Sequence, residues 1–115
     1  MYVQVFENLI SNSVYWLAAY KRQHKGFRPR IDIAIDALAR TVAFTDNGPG
    51  IEPYRAEDVF QPFVTTKPPR KGKGLGLYVA REIARYNGAT LDLSDEHTVR
   101  PDALNTFILT VGDKE

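Results

Sequence analysis

The chain reads as a domain of mixed helix and strand, on three grounds. Tyr2 to about Lys21 carries apolar residues at helical spacing, and two short stretches of alternating apolar and polar residues follow it. A second helical stretch stops at Asn87-Gly88 and is again followed by alternating stretches. With 115 residues there is room for one domain and one core, and 43% apolar with 25% charged residues is a soluble globular composition. Fifteen basic against fourteen acidic residues leave a net charge of +1, so no surface built for nucleic acid is expected. No cysteine is present, which excludes disulfides and cysteine metal sites. No apolar run approaches the ~20 residues that span a bilayer. Met1 stands almost at the start of the first helix without a cap, so a piece of a larger protein is expected.

In the first helix Phe6, Leu9, Ile10, Ser13, Leu17 and Tyr20 form the expected buried stripe. Asn8, Asn12 and Trp16 recur one turn apart on a neighbouring stripe. The two amides either cap backbone and face water, or supply oxygen to a magnesium–phosphate site. His24 to Arg30 is a basic loop. Ile31, Ile33 and Ile35 alternate with Asp32, Ala34 and Asp36 as a half-buried strand does, and Arg40 to Thr45 is its expected hairpin partner, with Val42 and Phe44 on one face.

That second strand delivers Asp46-Asn47-Gly48-Pro49-Gly50. Such a run is an ordinary turn, or it is the floor of a ligand pocket in which a carboxylate accepts a hydrogen bond and the glycines allow close approach. Glu52 to Phe60 is short and polar, and Phe60 and Phe63 bracket Pro62 as anchors to the core. Thr65 to Lys73 carries Lys67, Arg70, Lys71 and Lys73; it is a solvated loop or a lid whose cations fold over phosphates. Gly72-Lys73-Gly74-Leu75-Gly76-Leu77 then precedes the second helix, where unpaired N–H groups and the helix dipole suit phosphate. Leu75, Val79, Ile83 and Tyr86 are its expected buried stripe. Leu91 and Leu93 alternate along a strand, Asp95 to Asn105 is a polar excursion without pattern, and Phe107, Leu109 and Val111 mark the last strand, with Thr106 and Thr110 on its other face.

Taken in order, the Asn-bearing helix, Asp-x-Gly-x-Gly, the Phe-x-Pro-Phe box, the short lid and Gly-x-Gly-Leu-Gly-Leu resemble the ATP-binding catalytic domain of sensor histidine kinases, in the GHKL superfamily of gyrase, MutL and the heat-shock chaperones. The resemblance runs from Val5 to about Val111. It implies a Bergerat fold, an α/β two-layer sandwich whose mixed sheet carries its helices on one face. It implies that Asn12 coordinates the Mg2+ bridging the ATP phosphates, with Asn8 assisting and Glu7 as a helper at the edge or solvent-facing. Asp46 becomes the acceptor for the adenine amine, Gly48 and Gly50 lie under the base, and Thr106 supports the adenine contact. Phe60 and Phe63 match the phenylalanine box, and Gly72, Gly74 and Gly76 wrap the phosphates. Ile51, Thr66, Lys67, Lys73, Leu75 and Leu77 complete the nucleotide set, while Trp16 closes over the base or packs in the core.

Hydrolytic members carry a Glu where this chain has Asn8, and an amide cannot take a proton from water, so the resemblance implies ATP held for phosphotransfer. The implied partners are a phosphoacceptor histidine on a separate dimerisation domain and a downstream response regulator, in a homodimeric cytoplasmic parent, membrane-anchored or not, whose catalytic domain itself touches no membrane. Neither His24 nor His97 is followed by the acidic residue and proline of an acceptor motif, so both are expected at the surface. Three departures stand out. Tyr15 and Trp16 replace a lysine and tyrosine, the 95–105 excursion is long, and the strand that precedes the first helix is missing. A GHKL ATPase driving conformational change, or a non-catalytic module on the same fold, are the rival implications.

Overall fold

A computed structural model describes residues 2–62 and 76–112. Helix α1 spans Val3–Gln23 and is followed by strands β1 (Ile31–Asp36) and β2 (Thr41–Asp46). Two single 3-10 turns, Pro53–Arg55 and Asp58–Phe60, occupy the short polar stretch. Helix α2 (Gly76–Tyr86) then leads into β3 (Thr90–Leu93) and β4 (Thr106–Thr110). The strands form one sheet in the order β1-β2-β4-β3. The expected β1–β2 hairpin is present, with Ile33 opposite Phe44 and Ile35 opposite Val42. Every pairing among the described strands is antiparallel, where the resemblance implied a mixed sheet.

Register sets which side chains meet the helices. Phe44 pairs with Phe107, which pairs with Leu93, and Val42 pairs with Leu109, which pairs with Leu91. These rows face one way because side chains alternate along a strand, and Phe6 of α1 lies on Phe44 with ring centroids 5.4 Å apart. Val5, Leu9, Phe44, Phe60, Ala80, Ala84, Leu91, Phe107 and Leu109 are the centre of the buried cluster.

Three expectations about faces are corrected. In α1 the buried line is Val5, Leu9, Ser13 and Leu17, one turn apart, while Ile10 is exposed. The helix leans on α2 as well as on the sheet, which draws Val5 inward and rolls Ile10 out. In α2 the buried residues are Ala80, Arg81 and Ala84, flanked by Leu77 and Ile83, and Tyr86 is 92% exposed. Small alanines let the two helices approach, so the inner face carries little of the bulk that an apolar count registers. On β1 the alternation is correct, yet Ile33 and Ile35 stay exposed because the helices pack over β2 and β3 and leave β1 uncovered.

The second helix stops where the sequence says. Gly88, at φ +78°, accepts the left-handed conformation that ends a helix. Its N–H donates to Arg85 O and that of Ala89 to Ala84 O, the paired bonds of a Schellman motif.

Candidate functional site

Two residues beyond Phe44, Asp46 ends β2 on the helix-facing side of the sheet. Buried Ser13 of α1 donates from Oγ to Asp46 Oδ2 at 2.8 Å, and the Gly48 N–H donates to Oδ1 at 2.9 Å. Asn105 adds a weak contact from Nδ2 to the same Oδ1 at 3.5 Å. A carboxylate has about four acceptor positions, so Asp46 is held from two sides and keeps room for one further donor. A turn that small is open to glycine alone at Gly50. Its φ is +78°, and an added Cβ would stand 2.7 Å from Ala103 Cβ and 2.8 Å from Asn105 Oδ1.

The turn is tied down from several directions. The Asn47 side chain accepts from Arg30 N at 2.8 Å and donates to Arg28 O at 2.9 Å, which ties the basic loop to the turn. Ile51 exchanges both backbone bonds with Leu104, at 2.9 and 2.8 Å. Asn105 Nδ2 donates to Asp46 O and Gly48 O at 3.0 and 3.1 Å. Its Oδ1 is buried without a hydrogen-bond partner among the described residues. Asn105, Arg100 and Ser13 are site residues that sequence reasoning missed. Ser13 was read as a small core residue and the 95–105 excursion showed no pattern, so only spatial proximity reveals them.

Thr106 is not brought to Asp46. It sits on the face of the sheet turned away from the helices, where its hydroxyl lies 2.8 Å from both Thr45 Oγ1 and Thr98 Oγ1. Alternation on β4 gives the position beside Asp46 to Asn105, one residue earlier.

On α1, Asn8 and Asn12 are half-buried and Glu7 is exposed. Asn8 Nδ2 donates to Gly76 O at 2.9 Å, joining α1 to the start of α2, and its Oδ1 accepts from Gln4 Nε2 at 3.0 Å. The amide of Asn12 makes no hydrogen bond to another described residue. No group of three or more His, Cys, Asp or Glu side chains among the described residues could hold a metal. Magnesium is bound by one or two protein oxygens together with phosphates and water, and that donor set fits Asn12. Trp16 is half-buried and packs edge-on against Tyr15 at 4.9 Å. Gly76 is exposed and Leu77 lies against the core. Phe63, Thr66, Lys67, Gly72, Lys73, Gly74 and Leu75 fall outside the described residues.

Phe60 is a core anchor, 3% exposed, edge-on to Phe107 with centroids 5.9 Å apart. The guanidinium of Arg81 lies over its ring at 3.9 Å. Arg81 donates from Nε to Leu91 O at 3.0 Å, through both terminal nitrogens to Glu57 at 2.9 and 3.2 Å, and to Asp92 at 2.9 Å. The hydrogen bonds from Arg81 hold the Glu57 carboxyl below its ordinary range, against a smaller opposing effect of desolvation. Those same bonds to Glu57 raise the Arg81 pKa. An apolar period offers no hint of this arginine, which is buried by its stem and paired at its head.

Residues 1–113 match the family described as histidine kinase-, DNA gyrase B- and HSP90-like ATPases. The chain belongs to this ATPase family. Within it, the similarity is to sensor histidine kinases. The sensor protein IrlS of Burkholderia pseudomallei is 34% identical over 104 residues, covering 87% of this chain and 21% of that protein. The sensor protein kinase PilS of Pseudomonas aeruginosa is 33% identical over 91 residues, covering 77% of the chain and 16% of that protein. Among solved structures, the catalytic domain of histidine kinase ThkA is 27% identical with a TM-score of 0.64, covering 92% of this chain and 62% of that one. The mycobacterial sensor histidine kinase MprB, at 23% identity and a TM-score of 0.65 over 92% of this chain and 66% of that one, shares the fold. The chain spans well under a third of the length of the curated relatives it matches. It is thus an ATP-binding catalytic domain of the histidine kinase type, on the two-layer α/β fold of that family. No described helix of this ATPase domain is long and apolar enough to cross a membrane.

Proposed function

We propose that this domain binds ATP with Mg2+ and presents the γ-phosphate to a histidine on a separate dimerisation domain of a homodimeric two-component sensor, which then serves a response regulator. On this reading the domain works in the cytoplasm. The observation that carries the proposal is the Asp46 carboxylate, fixed by Ser13 and Gly48 N–H with an acceptor position left over, above a turn that tolerates only glycine at Gly50. A primary amine on a purine is the donor such an acceptor selects, because a ligand without it leaves Asp46 unpaired. Gly48 and Gly50 floor the base. Asn12 would hold the magnesium, which when bound neutralises phosphate charge, and Asn8 braces the α1 side against the start of α2 through Gly76 O. Neither amide can accept a proton from water, and the exposed Glu7 makes no hydrogen bond to a described residue that would aim it at the site. Positioning and charge neutralisation are therefore what these residues contribute.

Titration calorimetry with ATP, with and without magnesium, and with GTP tests this reading. ATP should bind selectively and more tightly with magnesium. Asp46→Asn should weaken ATP by roughly 10–100-fold, the range for a lost charge-assisted hydrogen bond, with an unchanged circular dichroism spectrum. Wild-type affinity in that variant would remove Asp46 from the base site. Asn12→Ala should flatten the magnesium dependence, and normal metal linkage would reject its role.

A further inference from the structure

The excursion between β3 and β4 showed no pattern in the sequence, yet it returns one cation to the Asp46 turn. Arg100 donates from Nε to Gly48 O and from Nη2 to Asn47 O, the latter at 3.1 Å. Its guanidinium also stands 5.1 Å from the centroid of Tyr20 on α1. We infer that Arg100 is a positioning residue for base recognition: by clamping two successive carbonyls of the Asn47-Gly48 turn, it sets the Gly48 N–H against Asp46. The inference rests on the nucleotide reading of the site given above.

The geometry of the turn supports this. Peptide groups are planar, so fixing the Asn47 carbonyl also fixes the Gly48 N–H across that peptide bond, while holding the Gly48 carbonyl fixes the Gly48–Pro49 peptide, which carries no N–H. The Asn47 carbonyl belongs to the peptide that carries the Gly48 N–H, and this N–H donates to Asp46 Oδ1. Rotation of that peptide would release one anchor of the carboxylate. Gly48 O accepts from both Arg100 and Asn105, which fills its two lone pairs, whereas Asn47 O accepts from Arg100 through its Nη2. A planar five-donor fork can hold two carbonyls at once, and an ammonium cannot reproduce that geometry. Removing Arg100 leaves other anchors in place: the Asn105 bonds, the Asn47 side-chain bonds and the Ile51–Leu104 bridge. The turn is then expected to loosen without unfolding.

Calorimetry on the wild-type chain, Arg100→Ala and Arg100→Lys, with ATP, adenosine and inosine triphosphate, tests this. Inosine triphosphate carries the same phosphates and lacks the amine that Asp46 would accept. In Arg100→Ala, ATP and adenosine should weaken by the same factor, about tenfold, as expected for a misplaced contact at the base end. The preference for ATP over inosine triphosphate should shrink with it, and Arg100→Lys should fall between. A merely structural arginine would lower the melting temperature and leave that preference intact, and this outcome overturns the proposal, as does wild-type ATP affinity in Arg100→Ala. Should Arg100→Ala not fold, Arg100→Lys decides alone: a reduced preference supports the inference and an unchanged one overturns it. A folded wild-type chain that binds no ATP defeats the nucleotide reading itself, and is distinguished by appearing before any substitution is made.

Discussion

Arg81 shows how much one residue can join. Its side chain is 10% exposed, while its partners Glu57 and Asp92 are 73% and 60% exposed, so the buried charge is neutralised by carboxylates that remain in water. Replacing Arg81 with Met leaves both carboxylates free to hydrate, and the loss is confined to the Leu91 carbonyl and the stacking on Phe60. Chemical denaturation should show a loss of roughly 1–3 kcal/mol, the penalty for an unpaired buried acceptor. Arg81→Lys should recover only part, since an ammonium cannot serve three directions in a plane. The pH dependence has a definite sign. The Glu57 carboxyl is depressed below its ordinary value of 4.5, so its contribution is present above pH 4.5 and is lost as pH falls through the lower folded value. Melting curves between pH 5 and pH 3 should therefore separate wild type from Glu57→Gln, with the wild type losing more on acidification. Parallel curves would sever the link. At the same scale, Asn105 and Thr106 mark the limit of reading by motif: the Thr106 hydroxyl was expected to support the adenine contact, and strand alternation puts the Asn105 amide, not that hydroxyl, beside Asp46.

Among the elements, the turn after β2 and the β1 edge behave in opposite ways. Gly50→Ala combines a positive φ with a Cβ pressed against Ala103 and Asn105, and the two together should lower stability by roughly 2–4 kcal/mol. Nucleotide affinity should fall in the same variant, because Asn105, one of the two neighbours that must yield, holds Asp46. Gly26 also has positive φ, but nothing lies within 4 Å of an added Cβ. Gly26→Asn, which tolerates that conformation, should therefore leave the melting temperature almost unchanged. On β1, Ile35 is 76% exposed. Ile35→Lys should change stability by no more than about 0.5 kcal/mol, and would place a charge on a strand that stands at the edge of the sheet among the described residues and offers apolar surface to another chain. Light scattering at rising concentration is the check: less self-association than wild type is expected, with an equal melting temperature.

At the scale of the molecule, the proposed ligand site draws on the α1–β2–β4 junction. Ser13 comes from the helix, Asp46 from the strand end and Asn105 from the residue before β4. A ligand that binds this junction only when it is assembled stabilises the whole domain by mass action, about 2.7 kcal/mol at a hundred times Kd. Thermal unfolding with ATP and magnesium should shift upward accordingly in the wild type and by clearly less in Asp46→Asn, about 0.4–1.4 kcal/mol at the same ligand concentration.

Much of this was legible from order and spacing alone. Helical period, strand alternation, the Asn-Gly stop and the two glycine runs are local properties of consecutive residues, and backbone geometry converts them directly into α1, α2, the β1–β2 hairpin and the turn at Asp46. Which face of each element is buried was not local. Ile10, Tyr86 and the β1 isoleucines alternate or repeat as core residues do, yet their burial depends on what packs beside them, and the helices do not extend over β1. The candidate site divides in the same way: Asp46, Gly48 and Gly50 stand out because they fall within five consecutive residues. Ser13, Arg100 and Asn105 reach the turn from positions 33 to 59 residues away from their partners, and only the closing of the sheet against the helices brings their donors to its acceptors.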